Sequence, residues 1–211
     1  MKAQPRFPDF NKAAEELFLS CQTPTQLRKL ILDIPNNEEL FSYSAHYEGV
    51  DKLVLWNSDD KKMQVRLHIY SSRSYNNANN QIDIAKAHNH RWNFSTRILS
   101  GGYLHTIYRM ELLATGKYCL DPVMIRRESI GSSYTLHHSQ YHSIIEEPNT
   151  VSLIVRGPIE KEYFQVATDE RGEIQLRDAP TLQNPQEKKQ KTMTLVEYKN
   201  ILNQLLSLKI I

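Results

Sequence analysis

The chain has 211 residues and a formal net charge of +2, from 26 Lys and Arg residues against 24 Asp and Glu residues. This length predicts one domain with short extra elements, and the near balance of charge excludes the clustered positive face of a nucleic-acid-binding protein. The two cysteines, Cys21 and Cys119, exclude a disulfide framework and a Cys-x-x-Cys zinc site.

The first ten residues contain two prolines and several charges, but no apolar run of the length that a secretory signal needs. No segment comes near the ~20 continuous apolar residues that cross a membrane. We therefore expect no membrane partner, and a soluble, cytoplasmic protein with reduced thiols.

The N-terminal part of the chain predicts helices. Between Asn11 and about Tyr43, apolar residues recur at the i, i+3 and i+4 spacing of one helix face. Thr23 or Thr25 can cap a second helix, and a third can begin at the asparagines 36 and 37. We assign residues 1–50 to a helical segment that packs on the rest of the domain.

The period of the pattern changes to two from about Lys52 to Val166. Apolar and polar side chains alternate along residues 63–70, where the polar set is Gln64, Arg66, His68 and Tyr70. Residues 151–155 and 163–166 also have the composition of strands. Short strands separated by polar turns are typical of a sandwich or barrel, so we predict a mainly β barrel over residues 51–178.

The C-terminal part of the chain predicts a linker and one helix. Residues 179–193 contain two prolines and a Lys-rich run, which indicates a solvated linker. Thr194 can then cap a helix within residues 194–211, whose apolar residues share one face. This helix would cover the barrel or pack on a partner.

Histidine is the unusual residue of this chain. There are eight histidines, and six of them lie between residues 88 and 142. His88 and His90 would point to the same side of a strand, so their two imidazoles can meet at one point and suit Fe, Zn, Ni, Cu or Mn. A His-x-His pair also arises by chance in a histidine-rich chain.

This pair, followed by Gly101 or Gly102 and then by Gly131 and His142, resembles the two sequence motifs of the cupin superfamily. The resemblance covers about residues 60–166. It implies a cupin double-stranded β-helix, a jelly-roll barrel, with N-terminal helices and a C-terminal helix. It also implies that His88, His90 and His142 are the metal ligands.

The motif departs from the usual cupin pattern at one ligand. The glutamate of the first motif would fall at Phe94 or Ser95, and neither is a normal metal ligand. The resemblance therefore implies a three-histidine site in place of the usual three histidines and one glutamate.

Three-histidine cupins include the thiol dioxygenases, such as cysteine dioxygenase, which hold ferrous iron. The chain is similar to them in size, N-terminal helices and ligand spacing. Their catalytic tyrosine falls at Arg156 and its neighbouring histidine at Ile154, so their substrate does not carry over. The chain also resembles an uncharacterised cupin group with an HDHPW-like motif, through Trp92, residues 98–103 and residues 156–158.

The resemblance also indicates which side chains line the substrate space. Thiol dioxygenases grip a substrate carboxylate with an arginine on an early strand, and the planar fork of Arg66 suits that role. In an isolated hairpin the polar face of residues 63–70 would be exposed to solvent, whereas in a cupin barrel it would face the lumen. The predicted substrate-binding set is Arg66, Arg156, His68, Tyr70 and Tyr103.

Each ligand histidine should donate its second ring N–H to an acceptor, which fixes its tautomer. The sequence offers several acceptors, namely Asn89, Ser95, Gln140 and Glu146. A further set is predicted to support the ligands or to take part in catalysis, namely His105, Ser95 and Trp92.

Three functions stay open at this point. The first is a mononuclear non-heme Fe(II) oxygenase that combines dioxygen with a small polar anion, such as an amino acid derivative or a thiol. In the second, Zn, Ni or Mn acts as a Lewis acid in isomerisation, elimination or hydrolysis. The third is a non-catalytic cupin that binds a metal or a ligand. A homodimer is possible in each case.

Overall fold

The computed structural model describes residues 7–21, 23–47, 49–70, 87–170, 173–179 and 192–211. In this part of the chain the helices are α1 (Phe7–Ser20), α2 (Pro24–Asp33), a 3-10 turn (Ile34–Asn36), α3 (Glu38–Tyr43) and α4 (Leu195–Ser207). The strands are β1 (Ala45–Tyr47), β2 (Val50–Asn57), β3 (Gln64–Tyr70), β4 (Trp92–Ser100), β5 (Gly102–Leu112), β6 (Tyr118–Ser129), β7 (Ser133–Leu136), β8 (Tyr141–Glu146), β9 (Val151–Ile159), β10 (Phe164–Glu170) and β11 (Glu173–Ala179).

The strands form two antiparallel sheets. The first has the order β1-β2-β3-β9-β4-β7, and the second has the order β10-β11-β6-β5-β8. An isolated bridge between His88 and His142 places residues 87–90 beside β8. The order β3-β9-β4-β7 in one sheet and residues 87–90, β8, β5 and β6 in the other is that of a jelly roll. The predicted mainly β jelly roll with helices at both ends is confirmed.

The helices begin where the sequence provides capping side chains. Thr23 and Gln26 form a capping box at α2, and Asn37 accepts a hydrogen bond from the backbone N–H of Leu40 at α3. Thr194 and Glu197 form the same reciprocal pair at α4. These caps fix the points at which the chain enters each helix.

The two faces of β3 meet different surroundings. Its apolar side chains Val65, Leu67 and Ile69 are buried in one cluster with residues of α1, α2 and α4. Its alternate polar side chains point to the opposite face, which is turned toward the space between the two sheets. The helices therefore cover the outside of the barrel, and the polar face of β3 lines its inside.

Helix α4 packs on the helical layer of the same chain. The hydroxyl of Tyr198 donates to the backbone carbonyl of Ile31 at 2.9 Å, and Ile201 and Leu205 are buried in the same cluster. The backbone N–H of Met193 donates to the carbonyl of Ser44. Helix α4 thus covers the barrel of its own chain, which is the first of the two predicted arrangements. Most of the predicted linker lies outside the described residues, and the domain boundaries stay predictions.

None of the helices in the described ranges has both the length and the apolar character needed to cross a membrane.

A bend at Gly101 and Gly102 joins β4 to β5. Gly101 has φ +64°, which favours glycine, and a Cβ at Gly102 would lie 2.4 Å from the backbone carbonyl oxygen of Glu128. The close approach of β5 to β6 at this point depends on the missing side chain. It sets the register in which His105 lies opposite Arg126.

Candidate metal centre

The segment that carries the His-x-His pair is held by backbone hydrogen bonds on both sides. His88 and His142 exchange two N–H to carbonyl bonds, each of 2.9 Å. The backbone N–H of Asn89 donates to Gln165, and the Gln165 N–H returns to the Asn89 side chain at 2.7 Å. Because β8 and β10 grip this short segment, the two imidazoles are presented by fixed backbone.

Three imidazoles converge at this point, from His88, His90 and His142. One ring nitrogen from each lies within 4.8 Å of the other two. The Nε2 atoms of His90 and His142 are 2.8 Å apart. Two nitrogens that bind one ion at ~2.1 Å each lie about 3 Å apart and at most ~4.2 Å apart. The His90 and His142 nitrogens are therefore spaced for a single divalent transition metal, and the spread of 4.8 Å must shorten slightly for all three to bind it. The sequence-predicted ligands are therefore brought together.

The surroundings keep two of these imidazoles, those of His90 and His142, in the form that binds metals. Burial holds the pKa of His90 well below its usual range, and nearby His88 and Lys52 lower it further. Burial also lowers the pKa of His142, with added effects from His88 and His90. Neutral imidazole offers a lone pair to a metal, so these rings are ready as ligands at neutral pH.

Phe94 lies where the cupin motif would supply its glutamate. Its ring centroid is 4.6 Å from that of His90 and 5.7 Å from that of His142. Ser95, the other candidate position, is buried on the opposite face of β4, where its hydroxyl bonds Thr135. An apolar wall thus occupies the place of the fourth ligand, and the protein donors are all neutral.

Three of the four predicted hydrogen-bond acceptors for the ligand rings have other partners. Asn89 bonds Gln165, Gln140 donates to the Tyr108 carbonyl, and Ser95 bonds Thr135. For His142 the partner is His105, whose Nε2 is 3.1 Å from the His142 Nδ1. Of the three residues predicted to support the ligands, His105 is thus in direct contact with one ligand, and Ser95 points away.

Trp92 carries two guanidinium groups beside the three imidazoles. The Cζ atoms of Arg66 and Arg156 lie 5.8 and 4.8 Å from the centre of its ring. The ring itself is 6.4 Å from that of His90. Such distances are typical of cation–π contacts, so Trp92 serves as a common support for both arginines.

The two arginines form a positive site without an acidic partner among the described residues. Arg66 donates to the side-chain carbonyl of Gln64, which is neutral, and the Nε of Arg156 is buried with no hydrogen-bond partner there. Burial and the nearby Arg156 lower the pKa of Arg66 to about 9. This arrangement favours an anion.

In the rest of the predicted substrate set, His68 and Tyr70 lie on the same face of β3, and Tyr103 lies on β5 in the other sheet. The Nε2 of His68 is buried with no hydrogen-bond partner in the described part of the chain, and burial holds the pKa of His68 well below its usual range. Tyr70 packs edge-on against Tyr103, and the Tyr103 hydroxyl bonds that of Tyr134 at 2.6 Å. Burial raises the pKa of Tyr103 to about 12, so its hydroxyl keeps its proton.

Tyr134 and Glu128 take part in this environment, and sequence reasoning missed both. The ring of Tyr134 lies 4.5 Å from that of His105, and the Glu128 carboxylate is 3.3 Å from the His105 Nδ1. In the sequence, Glu128 belongs to the charged run Arg126-Arg127-Glu128, which is typical of an exposed strand. Only the register of β6 against β5 turns it inward.

No protein-family model matches the chain, and no curated protein matches its sequence. Solved structures do align with it. KdgF from Halomonas sp. is 13% identical with a TM-score of 0.37, and covers 58% of this chain and 91% of its own. A variant of oxalate decarboxylase from Bacillus subtilis is 11% identical with a TM-score of 0.37, and covers 56% of this chain and 28% of its own. Fe(II)-HppE with the alternative substrate (S)-1-HPP is 11% identical with a TM-score of 0.37, and covers 53% of this chain and 50% of its own.

Proposed function

We propose that this chain is a metal-dependent enzyme, a non-heme Fe(II) oxygenase that acts on a small polar anion. The observation that carries the proposal is the position of three converging imidazoles near two guanidinium groups with no described acidic partner. The neutral ligands His88, His90 and His142 would leave a divalent ion with its full charge. An anionic substrate would then be attracted by the ion and by the arginines.

The ion and the protein would contribute different parts of the reaction. When bound, ferrous iron supplies the electrons for dioxygen chemistry, which ordinary side chains do not supply. The neighbouring side chains bind and orient the anion. The fork of Arg66 or Arg156 can take a carboxylate through two parallel N–H bonds, and His68 has one unpartnered ring nitrogen for a further hydrogen bond.

The apolar side chains of the site would control water. Phe94 packs against His90 and His142, and Trp92 packs against the apolar cluster that contains Phe94. Excluding water strengthens each electrostatic interaction within the site. The resemblance to thiol dioxygenases supports oxygen chemistry, while Arg156 in place of their tyrosine leaves the identity of the anion open.

Oxygen consumption tests this proposal. Protein purified without oxygen is loaded with Fe(II) and mixed with amino acid derivatives, thiols and small carboxylates in an oxygen electrode. We expect uptake that depends on one of these compounds and that is lost in His142→Ala. His137→Ala is the matched control, because His137 is exposed and its Nδ1 bonds Ser139; its uptake should equal that of the unaltered protein.

The same donor set suits Zn, Ni and Mn, because imidazole binds all of them. Turnover of the same compounds without oxygen, in protein loaded with one of these metals, would contradict the oxygenase and favour Lewis-acid chemistry. A tightly bound metal without turnover of any compound would favour the non-catalytic binding protein.

A further inference from the structure

A chain of hydrogen bonds runs from the candidate metal centre into the second sheet. The His142 Nδ1 is 3.1 Å from the His105 Nε2, and the His105 Nδ1 is 3.3 Å from Oε1 of Glu128. Each of the three side chains is at most 4% exposed. These hydrogen bonds start at the Nδ1 of His142, on the side of the ring opposite to its Nε2, which faces His90.

The far end of this chain is fixed by Arg126. Its Nε donates to Oε1 of Glu128 at 2.7 Å, and a second guanidinium nitrogen is 2.5 Å from the same oxygen. Glu128 is 1% exposed, while about half of the Arg126 side chain is open to solvent. The buried carboxylate therefore has a charged partner that holds it in place.

Only one arrangement of protons suits all of these contacts and a metal at His142. The Glu128 carboxylate is an acceptor, so Nδ1 of His105 must carry the hydrogen. In a neutral ring the Nε2 of His105 is then an acceptor, and it receives the Nδ1 hydrogen of His142. The Nε2 of His142 is left with a free lone pair, directed toward His90.

We propose that Glu128 is a positioning residue of the metal centre, which acts through His105 to hold His142 with its Nε2 lone pair toward the other two imidazoles. This inference rests on the metal site of the proposed function. Partners behind a ligand histidine commonly change metal affinity by 10- to 100-fold. Loss of Glu128 should therefore weaken metal binding although its carboxylate touches no ligand ring.

The test uses two readouts on the full chain. Metal affinity is measured with Zn(II) against a chromophoric chelator, and long-range ¹⁵N–¹H spectra of the metal-free protein report the tautomer of His142. For Glu128→Ala we expect ~10- to 100-fold weaker binding and a His142 ring that carries its hydrogen partly or wholly on Nε2. Glu128→Gln keeps an acceptor oxygen, so its tautomer should stay and its affinity should fall by less.

Ser143→Ala is the matched control. Ser143 is the buried neighbour of His142 and bonds the Tyr108 hydroxyl, so its loss disturbs the same strand without touching the chain of imidazoles. It should leave both the affinity and the tautomer unchanged. If Glu128→Ala does not fold, His105→Gln tests the same link and should weaken metal binding by a similar factor.

Two results would overturn the inference in distinct ways. A folded Glu128→Ala protein with unaltered affinity and tautomer would remove Glu128 from the centre, while Zn(II) binding that His90→Ala abolishes would leave the metal site intact. Unaltered Zn(II) binding in His90→Ala would instead overturn the metal site, and the inference with it.

Discussion

Phe94 determines the charge of the candidate metal centre, because its ring lies against His90 and His142 where a carboxylate ligand would otherwise reach the ion. A glutamate there would add an anionic oxygen donor to three neutral nitrogens. Its negative charge would also lower the net positive charge of the space in which an anionic substrate is expected.

We therefore expect Phe94→Glu to bind divalent metals at least ~10-fold more tightly, as a fourth protein ligand should. Without metal the variant should be less stable by about 3 kcal/mol, because it buries a carboxyl and loses a packed ring. Chelator competition and chemical denaturation measure the two effects. Phe94→Leu, which keeps the donor set neutral, should not tighten binding, and unaltered affinity in Phe94→Glu would contradict this geometry.

Arg66 and Arg156 are positive groups held close together, and the nearest partner of Arg66 is the neutral amide of Gln64. Burying a charge without an acidic partner costs free energy. Binding sites often retain such costs because the group is needed for the ligand.

We expect Arg66→Met to raise the free energy of unfolding by about 1 kcal/mol, and to weaken binding of the anionic substrate once that is known. Urea denaturation of the metal-free protein measures the first effect. The control is Arg109→Met, because Arg109 is exposed and paired with Glu111 and Asp121, and its change should be within ~0.5 kcal/mol. A marked loss of stability in Arg66→Met would show that the charge is compensated.

At the scale of elements, the helical layer supports the sheet that carries the arginines. Helix α4 joins α1 and α2 in one apolar cluster on the outer face of β3. Leu205 is fully buried in that cluster, whereas the next residue, Leu206, is 41% exposed. The pair allows a controlled test of how much this layer stabilises the barrel.

Leu205→Ala should lower the free energy of unfolding by about 3 kcal/mol, because it leaves a cavity. Leu206→Ala should lower it by less than ~1 kcal/mol. Both variants should keep metal affinity, measured beside chemical denaturation, because α4 lies on the face of β3 opposite to the lumen. Equal losses in the two variants would show that α4 does not pack as described.

The parts of the fold that depend on local pattern could be predicted from the sequence. The alternation along residues 63–70 separates the covered face of β3 from its lumen face, and Thr23, Asn37 and Thr194 mark helix starts because their caps act over three residues. The His-x-His spacing places two imidazoles on one side because strand side chains alternate.

The parts that depend on register between distant strands could not be predicted. The contact between His105 and Glu128 exists because β5 pairs with β6 in one particular register. Tyr134 reaches Tyr103 of the second sheet because β7 pairs with β4 at the edge of the first sheet. Neither relation leaves a periodic signal in a single sequence. The sequence therefore indicates His105 as a support of the ligands, but Glu128 and Tyr134 become visible only in the folded chain.

At the scale of the whole molecule, buried neutral histidines should make the metal-free protein sensitive to acid. Burial holds the pKa of His68 well below its usual range, so the folded protein keeps this ring neutral while the unfolded chain protonates it below about pH 6.5. The unfolded state then binds more protons, and the free energy of unfolding falls as the pH drops below 6.5, with no effect above it.

One such histidine should lower the free energy of unfolding by about 1.4 kcal/mol when the pH falls from 7.5 to 5.5. We expect His68→Gln to lose about that part of the pH dependence, measured by urea denaturation at the two pH values with chelator present. The same difference between the two pH values in the variant and in the unaltered protein would contradict a neutral, buried His68.

The most direct test of the account is elemental analysis of protein purified without chelator, together with His90→Ala, His142→Ala and the exposed control His137→Ala. We predict about one equivalent of a single transition metal in the unaltered protein and in His137→Ala, and less than a tenth of that in the two ligand variants. Equal metal content in all four proteins, or none in the unaltered protein after loading with Fe(II) or Zn(II), would contradict a metal centre at His88, His90 and His142.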